Sequence, residues 1–154
     1  MDLRRLRFGD WVMGLGGLSV LVVMFLDWFK PAVEGAPGRT AWESFAVNDV
    51  ILALAVVLAL SAFVLTALHP TAAVPLALAS LATVISIIAL VLVALRMVWP
   101  PDIGTGDQLD TARLTGAWLG LVAASLLAGG ALASIRDERV PQPEQPVEPR
   151  LVEL

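Results

Sequence analysis

Few side chains in this sequence are of a type that could do chemistry, and those few are scattered. His69 is the single histidine, and no cysteine or carboxylate cluster stands near it in the sequence, so it is a poor candidate for metal ligation and a capping role in an interfacial turn is favoured. The carboxylates Asp102, Asp107 and Asp110 lack the alternating spacing and closing Glu of a calcium loop, which favours a solvated acidic loop. We therefore expect no catalytic residue, cofactor or metal site.

Two charged residues stand close to the ends of apolar segments. Asp27 lies near the end of the first such segment and Arg96 near the end of the third. If both ends reach the same face of a membrane, the two side chains can form an ion pair just beneath the lipid head groups. The alternative is that each reaches water separately, Asp27 beside Lys30.

The elements that must position these residues are long apolar segments. Hydrophobic residues make up 58% of the 154-residue chain, and the mean hydropathy is +0.82, well above the apolar content of soluble domains. A membrane-crossing helix needs roughly 20 apolar residues. Four segments qualify, at about 11–29, 49–68, 72–97 and 115–135. They predict an all-α protein, a four-helix transmembrane bundle running up, down, up and down over residues 1–135, followed by a proline-rich cytoplasmic tail at 136–154.

The connections between these segments differ. Only residues 69–71 separate the second and third segments, which predicts a tight antiparallel hairpin. The first loop contains Thr40 and Glu43 at the spacing of a capping box, which predicts a short helix from Ala41 to about Ala46. Trp42 and Phe45 would lie on one face of that helix, at the membrane surface.

The fourth segment carries the most specific pattern in the chain, a small residue at every fourth position. Such a stripe lets another helix approach closely in lipid. Packing within this bundle is the favoured interpretation, and contact with a second copy is the alternative. The residues are Gly116, Gly120, Ala124 and Ala128. The first segment offers Gly14, Gly16 and Gly17 for a similar close contact.

The distribution of basic residues predicts the orientation. Positive charges favour the cytoplasmic side, and the cluster Arg4-Arg5-Leu6-Arg7 joins Arg136 and Arg139 on one side of the bundle, against Lys30, Arg39, Arg96 and Arg113 on the other. Both termini are therefore expected in the cytoplasm. Tryptophans favour membrane interfaces, which predicts Trp11 at the inner boundary and Trp28, Trp99 and Trp118 near the outer one.

Several motifs resemble those of small four-span membrane proteins of actinobacteria. They are Thr40-Ala41-Trp42-Glu43-Ser44-Phe45, Gly116-Ala117-Trp118-Leu119-Gly120-Leu121, Gly129-Gly130 and Arg136-Asp137-Glu138. The resemblance implies a bacterial inner-membrane protein and no particular activity.

The function expected from all of this is non-enzymatic. We predict a structural, scaffold or accessory subunit whose partners are membrane lipids and either further copies of itself or a larger membrane complex. An oligomeric channel or small-molecule carrier is the alternative. Nucleic acid is not expected, since the formal charge is −4 and no clustered basic face is present.

Overall fold

Five helices and three short strands make up the protein in the computed structural model, which describes residues 6–31, 34–45, 47–68, 73–102 and 111–138. The helices are α1 (Phe8–Val23), α2 (Ala41–Ser44), α3 (Asn48–Leu68), α4 (Ala73–Val98) and α5 (Thr115–Glu138). The strands are β1 (Asp27–Pro31), β2 (Arg39–Thr40) and β3 (Thr111–Arg113). Three helices, α3, α4 and α5, are long and apolar enough to cross a membrane, whereas α1 is apolar but shorter.

The segments predicted at 49–68, 72–97 and 115–135 are confirmed as helices, and each predicted end lies within three residues of the observed one. Helix α5 continues to Glu138, so the predicted tail begins later than residue 136. His69, the hairpin turn, Asp107, Asp110 and the tail beyond Glu138 lie outside the described residues.

The first segment differs from its prediction at both ends. Helix α1 has 16 residues and ends at Val23, not at residue 29. Its last turn tightens, because the amides of Phe25 and Leu26 donate to the carbonyls of Val22 and Val23, three residues back. The indole Nε1–H of Trp28 also donates to the Val23 carbonyl at 2.8 Å. The Val23 carbonyl therefore accepts two hydrogen bonds, one from the Leu26 amide and one from the Trp28 indole, and both hold the turn that follows the helix.

The protein is mostly helical, as predicted, and at the loop end of the helices it adds a three-stranded antiparallel sheet in the order β2-β1-β3 that the prediction did not include. Strand β1 pairs Asp27 with Thr40 of β2, and it pairs Phe29 with Arg113 of β3. The backbone N–H and C=O groups of the loops on this side are not paired by the helices and need hydrogen-bond partners of their own. Pairing the segment after α1 with the segment before α5 satisfies those groups.

Alanines are frequent in the interior between the long helices, and many large apolar side chains of these helices face outward. Ala55, Ala59 and Ala82 are fully buried, while Val57 and Val84 are more than half exposed. A water-soluble domain buries its large apolar residues instead. Small interior residues bring helix backbones close together, which is how helices associate in lipid. The side-chain distribution thus agrees with the apolar length of α3, α4 and α5.

Candidate functional site

Helices α1 and α5 meet along an antiparallel contact in which glycine replaces side-chain packing. A Cβ added to Gly9 would collide with the backbone of Ser134, and one added to Gly130 with the backbone of Met13. A Cβ on Gly16 would stand 2.5 Å from the Leu127 amide nitrogen. We call these six residues the α1–α5 seam: Gly9, Met13, Gly16, Leu127, Gly130 and Ser134. The two backbones touch, so the seam has no room for even one additional methyl group.

The predicted small-residue stripe of α5 packs against the same part of the chain. Gly116 lies against the backbone of Asp27, and Gly120 lies under the indole of Trp28. Ala124 and Ala128 are 1% and 2% exposed. The stripe is therefore covered by other parts of the same chain. An intermolecular contact would need another face of α5.

The glycines of α1 contact two different helices. Gly16 faces α5, whereas Gly14 and Gly17 face α3: a Cβ on Gly14 would stand 2.7 Å from the Phe63 ring, and one on Gly17 3.6 Å from the Ala59 side chain. The close contact predicted for these glycines is present. The sequence pattern did not single out Gly9 or assign the partner of Gly130.

A buried carboxylate lies at the end of the seam, and sequence reasoning missed it. Asp10 is only 5% exposed. It accepts hydrogen bonds from the Arg7 amide at 3.0 Å and from the Ser134 hydroxyl at 2.5 Å. Asp10 is the third residue of α1, where a carboxylate commonly caps a helix start, and that position was the available signal. The bond to Ser134 links the start of α1 to the end of α5.

An aromatic cluster under the sheet corrects the prediction for Trp42 and Phe45. The capping box is confirmed, because the Thr40 amide donates to Glu43 at 3.0 Å, but α2 ends at Ser44 and Phe45 is extended. The two rings do not share a face. Trp42 is 40% exposed, while Phe45 is buried and packs edge-on against Trp28 with ring centroids 5.5 Å apart.

Trp28 itself is almost fully buried, which differs from its predicted place in an interfacial belt. The reason is its hydrogen bond to the carbonyl end of α1 and the space that Gly120 leaves for the ring. Trp11, Trp99 and Trp118 have exposed rings, which is compatible with the belt.

Asp27 and Arg96 have other neighbours than each other. The Arg96 guanidinium lies over the Phe45 ring, 5.9 Å from its centroid, a cation–π distance. The Asp27 carboxylate lies beside Gly38, where an added Cβ would stand 2.5 Å from its Oδ2. Neither contact involves the other residue, and the ion pair between them stays a prediction.

Arg96 also lines an open pocket between the start of α3 and the end of α4. The pocket has a volume of 240 Å³, and its lining consists of Asn48, Leu92, Leu95, Arg96 and Trp99. We call it the Arg96 pocket. Arg96 is charged and Asn48 is polar, Leu92 and Leu95 are apolar, and Trp99 has an aromatic ring with one N–H donor. The arrangement is suited to a ligand that has a negatively charged oxygen group next to hydrocarbon.

A second arginine stabilises the wall of this region. From β3, the Arg113 side chain donates to the carbonyl of Met97 at 2.5 Å and to that of Val98 at 3.2 Å. These carbonyls belong to the last turn of α4, where free acceptors and the helix dipole favour a cation. Arg113 therefore caps α4 and holds it against the sheet.

The remaining candidate groups are hydroxyls that are hydrogen-bonded within their helices, and acidic side chains that do not cluster in the described part of the chain. The hydroxyls of Thr83, Ser86 and Ser125 donate to carbonyls of their own helices, as is common in apolar helices. In the parts of the chain that the structure describes, no three His, Asp or Glu side chains gather closely enough to hold a metal ion.

The observations define a class, a mostly helical protein with three helices able to cross a membrane. Compared with known proteins, the chain matches no family model, no curated protein and no solved structure.

Proposed function

We propose that this chain is a non-enzymatic integral membrane protein that associates with copies of itself, or with a larger membrane complex, as a structural or accessory subunit. In this proposal α1, α3, α4 and α5 cross the bilayer up, down, up and down. The membrane is the bacterial inner membrane, with the sheet outside and both ends of the chain in the cytoplasm.

The inclusion of α1 as a fourth crossing element rests on its contacts. Its 16 residues extend about 24 Å, short of the ~30 Å hydrocarbon core. However, α1 runs beside α5 from Gly9 at Ser134 to Gly16 at Leu127, and the following turn brings Asp27 to Gly116. Helix and turn together accompany α5 along most of its length.

The observation that carries self-association is the contrast between two neighbouring glycines. Gly130 is buried in the seam, whereas no heavy atom lies within 4 Å of the place where a Cβ on Gly129 would stand. Gly129 is exposed on the face of α5 that also exposes Val122 and Ser125. A glycine open to the surroundings of an apolar helix allows a second helix to approach its backbone closely.

The test is the oligomeric state of the full chain after extraction in a mild detergent. Native mass spectrometry and chemical crosslinking in the membrane should detect an oligomer or a bound partner protein for the natural sequence. Gly129→Leu should remove it, because the new side chain fills the open face. Val57→Leu, which enlarges a side chain on the exposed surface of α3, is the matched control and should keep it.

A natural chain that is monomeric and free of protein partners in both measurements would contradict the proposal. So would an oligomer that Gly129→Leu leaves intact, since the contact would then lie elsewhere. Fusion of reporters to the end of the chain and to the 34–38 turn tests the orientation, and an external end would overturn it.

An oligomeric channel or carrier is the competing function. The three hydroxyls of Thr83, Ser86 and Ser125 are bonded within their own helices, which leaves them poorly suited to lining a pore. Solute flux into liposomes above that of empty vesicles would favour the competing function.

A further inference from the structure

We propose that the Arg96 pocket binds a phosphate-class oxyanion, specifically the phosphodiester of an anionic phospholipid in the leaflet on the sheet side. The ligand would place its phosphate at Arg96 and Asn48 and its glycerol and acyl portion against the leucines. This inference goes beyond self-association and does not depend on it.

The first observation is an arginine without an anionic partner. Among the described residues, no carboxylate pairs with Arg96, and its recorded contact is the one with the Phe45 ring. A guanidinium has five N–H donors in a planar fork that fits two phosphate oxygens. Phe45 is buried and fixes the position of the charge. The Arg96 guanidinium therefore has N–H donors available for a ligand, and the Phe45 ring fixes its position.

The second observation is independent of the first. Asn48 begins α3, is only 8% exposed, and lines the same pocket. Its side-chain amide has no hydrogen-bond partner in the described part of the chain. The amide is open to the pocket and not enclosed by protein, so a ligand oxygen there can accept from its N–H.

Within the start of α3 and the end of α4, Asp49 is the one charge that opposes an anion. The start of α3 carries the positive end of the helix dipole. Arg113 stands at the end of α4 and is engaged with the Met97 and Val98 carbonyls. Asp49 is the opposing charge, but its Oδ1 accepts from the Val50 amide at 2.8 Å, which directs that oxygen toward the helix start.

The apolar lining selects the source of the phosphate. Leu95 and Trp99 are 43% and 62% exposed, and Leu92 completes the wall. Free phosphate gains nothing from such a wall, whereas the glycerol and first methylenes of a lipid bury apolar surface there. The indole of Trp99 is also typical of head-group depth. A phospholipid can contact both kinds of lining residue, with its phosphate at the polar ones and its hydrocarbon at the apolar wall.

The experiment measures lipid binding to the full chain by native mass spectrometry, during titration with phosphatidylglycerol or with phosphatidylcholine of the same acyl length. We expect preferential binding of phosphatidylglycerol. Arg96→Gln should weaken it about tenfold, since a charge-assisted pair is lost. Arg39→Gln is the matched control, because Arg39 is an exposed arginine of β2 that does not line the pocket, and it should change little.

Asn48→Asp is the second variant and retains Arg96. A carboxylate in place of the amide repels the phosphate, so binding of phosphatidylglycerol should fall by a similar factor. It decides the matter if Arg96→Gln does not fold, as judged by thermal unfolding.

Three results would overturn the proposal: equal binding of the two lipids, unchanged binding by the folded variants, or full displacement of phosphatidylglycerol by millimolar inorganic phosphate. The last result would assign the pocket to free phosphate.

Discussion

The α1–α5 seam and the Arg96 pocket are both places where two helices meet, but they are built in opposite ways. In the seam, glycines bring backbones into contact and the buried Asp10 carboxylate has donors from two sides. In the pocket, 240 Å³ stays open beside an arginine and an asparagine that have no hydrogen-bond partner among the described residues. The comparison shows that the seam stabilises the fold, whereas the pocket keeps polar groups available to bind a ligand.

Gly130→Ala should have the largest effect, because its new methyl group collides with the Met13 backbone. Overpacking against a backbone that cannot move aside should cost about 3 kcal/mol of the free energy of unfolding. Gly129→Ala, measured on the monomer, is the matched control one residue away, and it should be neutral or stabilising by up to ~1 kcal/mol, because alanine favours helix. Thermal unfolding in detergent measures both. Equal effects of the two substitutions would break the contrast between closed and open faces.

Ser134→Ala should have the next largest effect. It removes a donor to the buried Asp10 carboxylate, and a charged group that loses such a partner should cost about 2 kcal/mol. Ser125→Ala is the control, since this exposed hydroxyl bonds only within its own helix and should change stability little. Chemical denaturation of the two variants makes the comparison. If Ser134→Ala lowers the free energy of unfolding no more than Ser125→Ala does, the hydrogen bond from Ser134 to Asp10 does not stabilise the fold.

Trp28→Phe tests the hydrogen bond at the end of α1. The ring still covers Gly120, but the N–H donor to Val23 is lost, which should cost about 1 kcal/mol. Trp118→Phe on the exposed surface is the control. Hydrogen exchange of the α1 backbone should increase near Val23 in the Trp28 variant alone, and exchange unchanged there would contradict a capping role.

The Asp27–Arg96 pair should show the smallest effect. With Arg96 over Phe45 and Asp27 beside Gly38, we expect Asp27→Ala and Arg96→Ala to be additive within ~0.5 kcal/mol in a double-mutant cycle. A coupling of about 1 kcal/mol or more would instead establish the ion pair, and Arg96 would then no longer be available to a ligand.

Hydropathy located α3, α4 and α5 closely, because the apolar length of a helix is a local property of the sequence. Spacing also identified Gly116 and Gly120 as close-packing residues. It could not name their partner, since Trp28 reaches Gly120 only after α1 ends early. The hydrogen bond that ends α1 joins a side chain to a carbonyl five residues back, and no apolar count reveals it.

The sheet and the pocket could not be predicted from the sequence, because each is formed by residues that are far apart in the chain. Phe29 pairs with Arg113, and two such short strands have no pattern of their own until they meet. Asn48 and Arg96 lie in separate helices, and each has an ordinary interpretation alone: a helix-start residue and a cation near a helix end. Their shared pocket is a property of the packing of α3 against α4.

The seam also sets an order of events during biogenesis. Helix α1 leaves the ribosome first among the described helices and α5 last, so in the proposed membrane arrangement the Gly9 and Gly16 surface lacks its α5 partner while α3 and α4 are inserted. Until α5 arrives, the exposed glycine face is free to pair with any passing helix. In that arrangement the contact of α1 with α5 forms last, and a chain stalled before α5 would leave the glycine face of α1 uncovered.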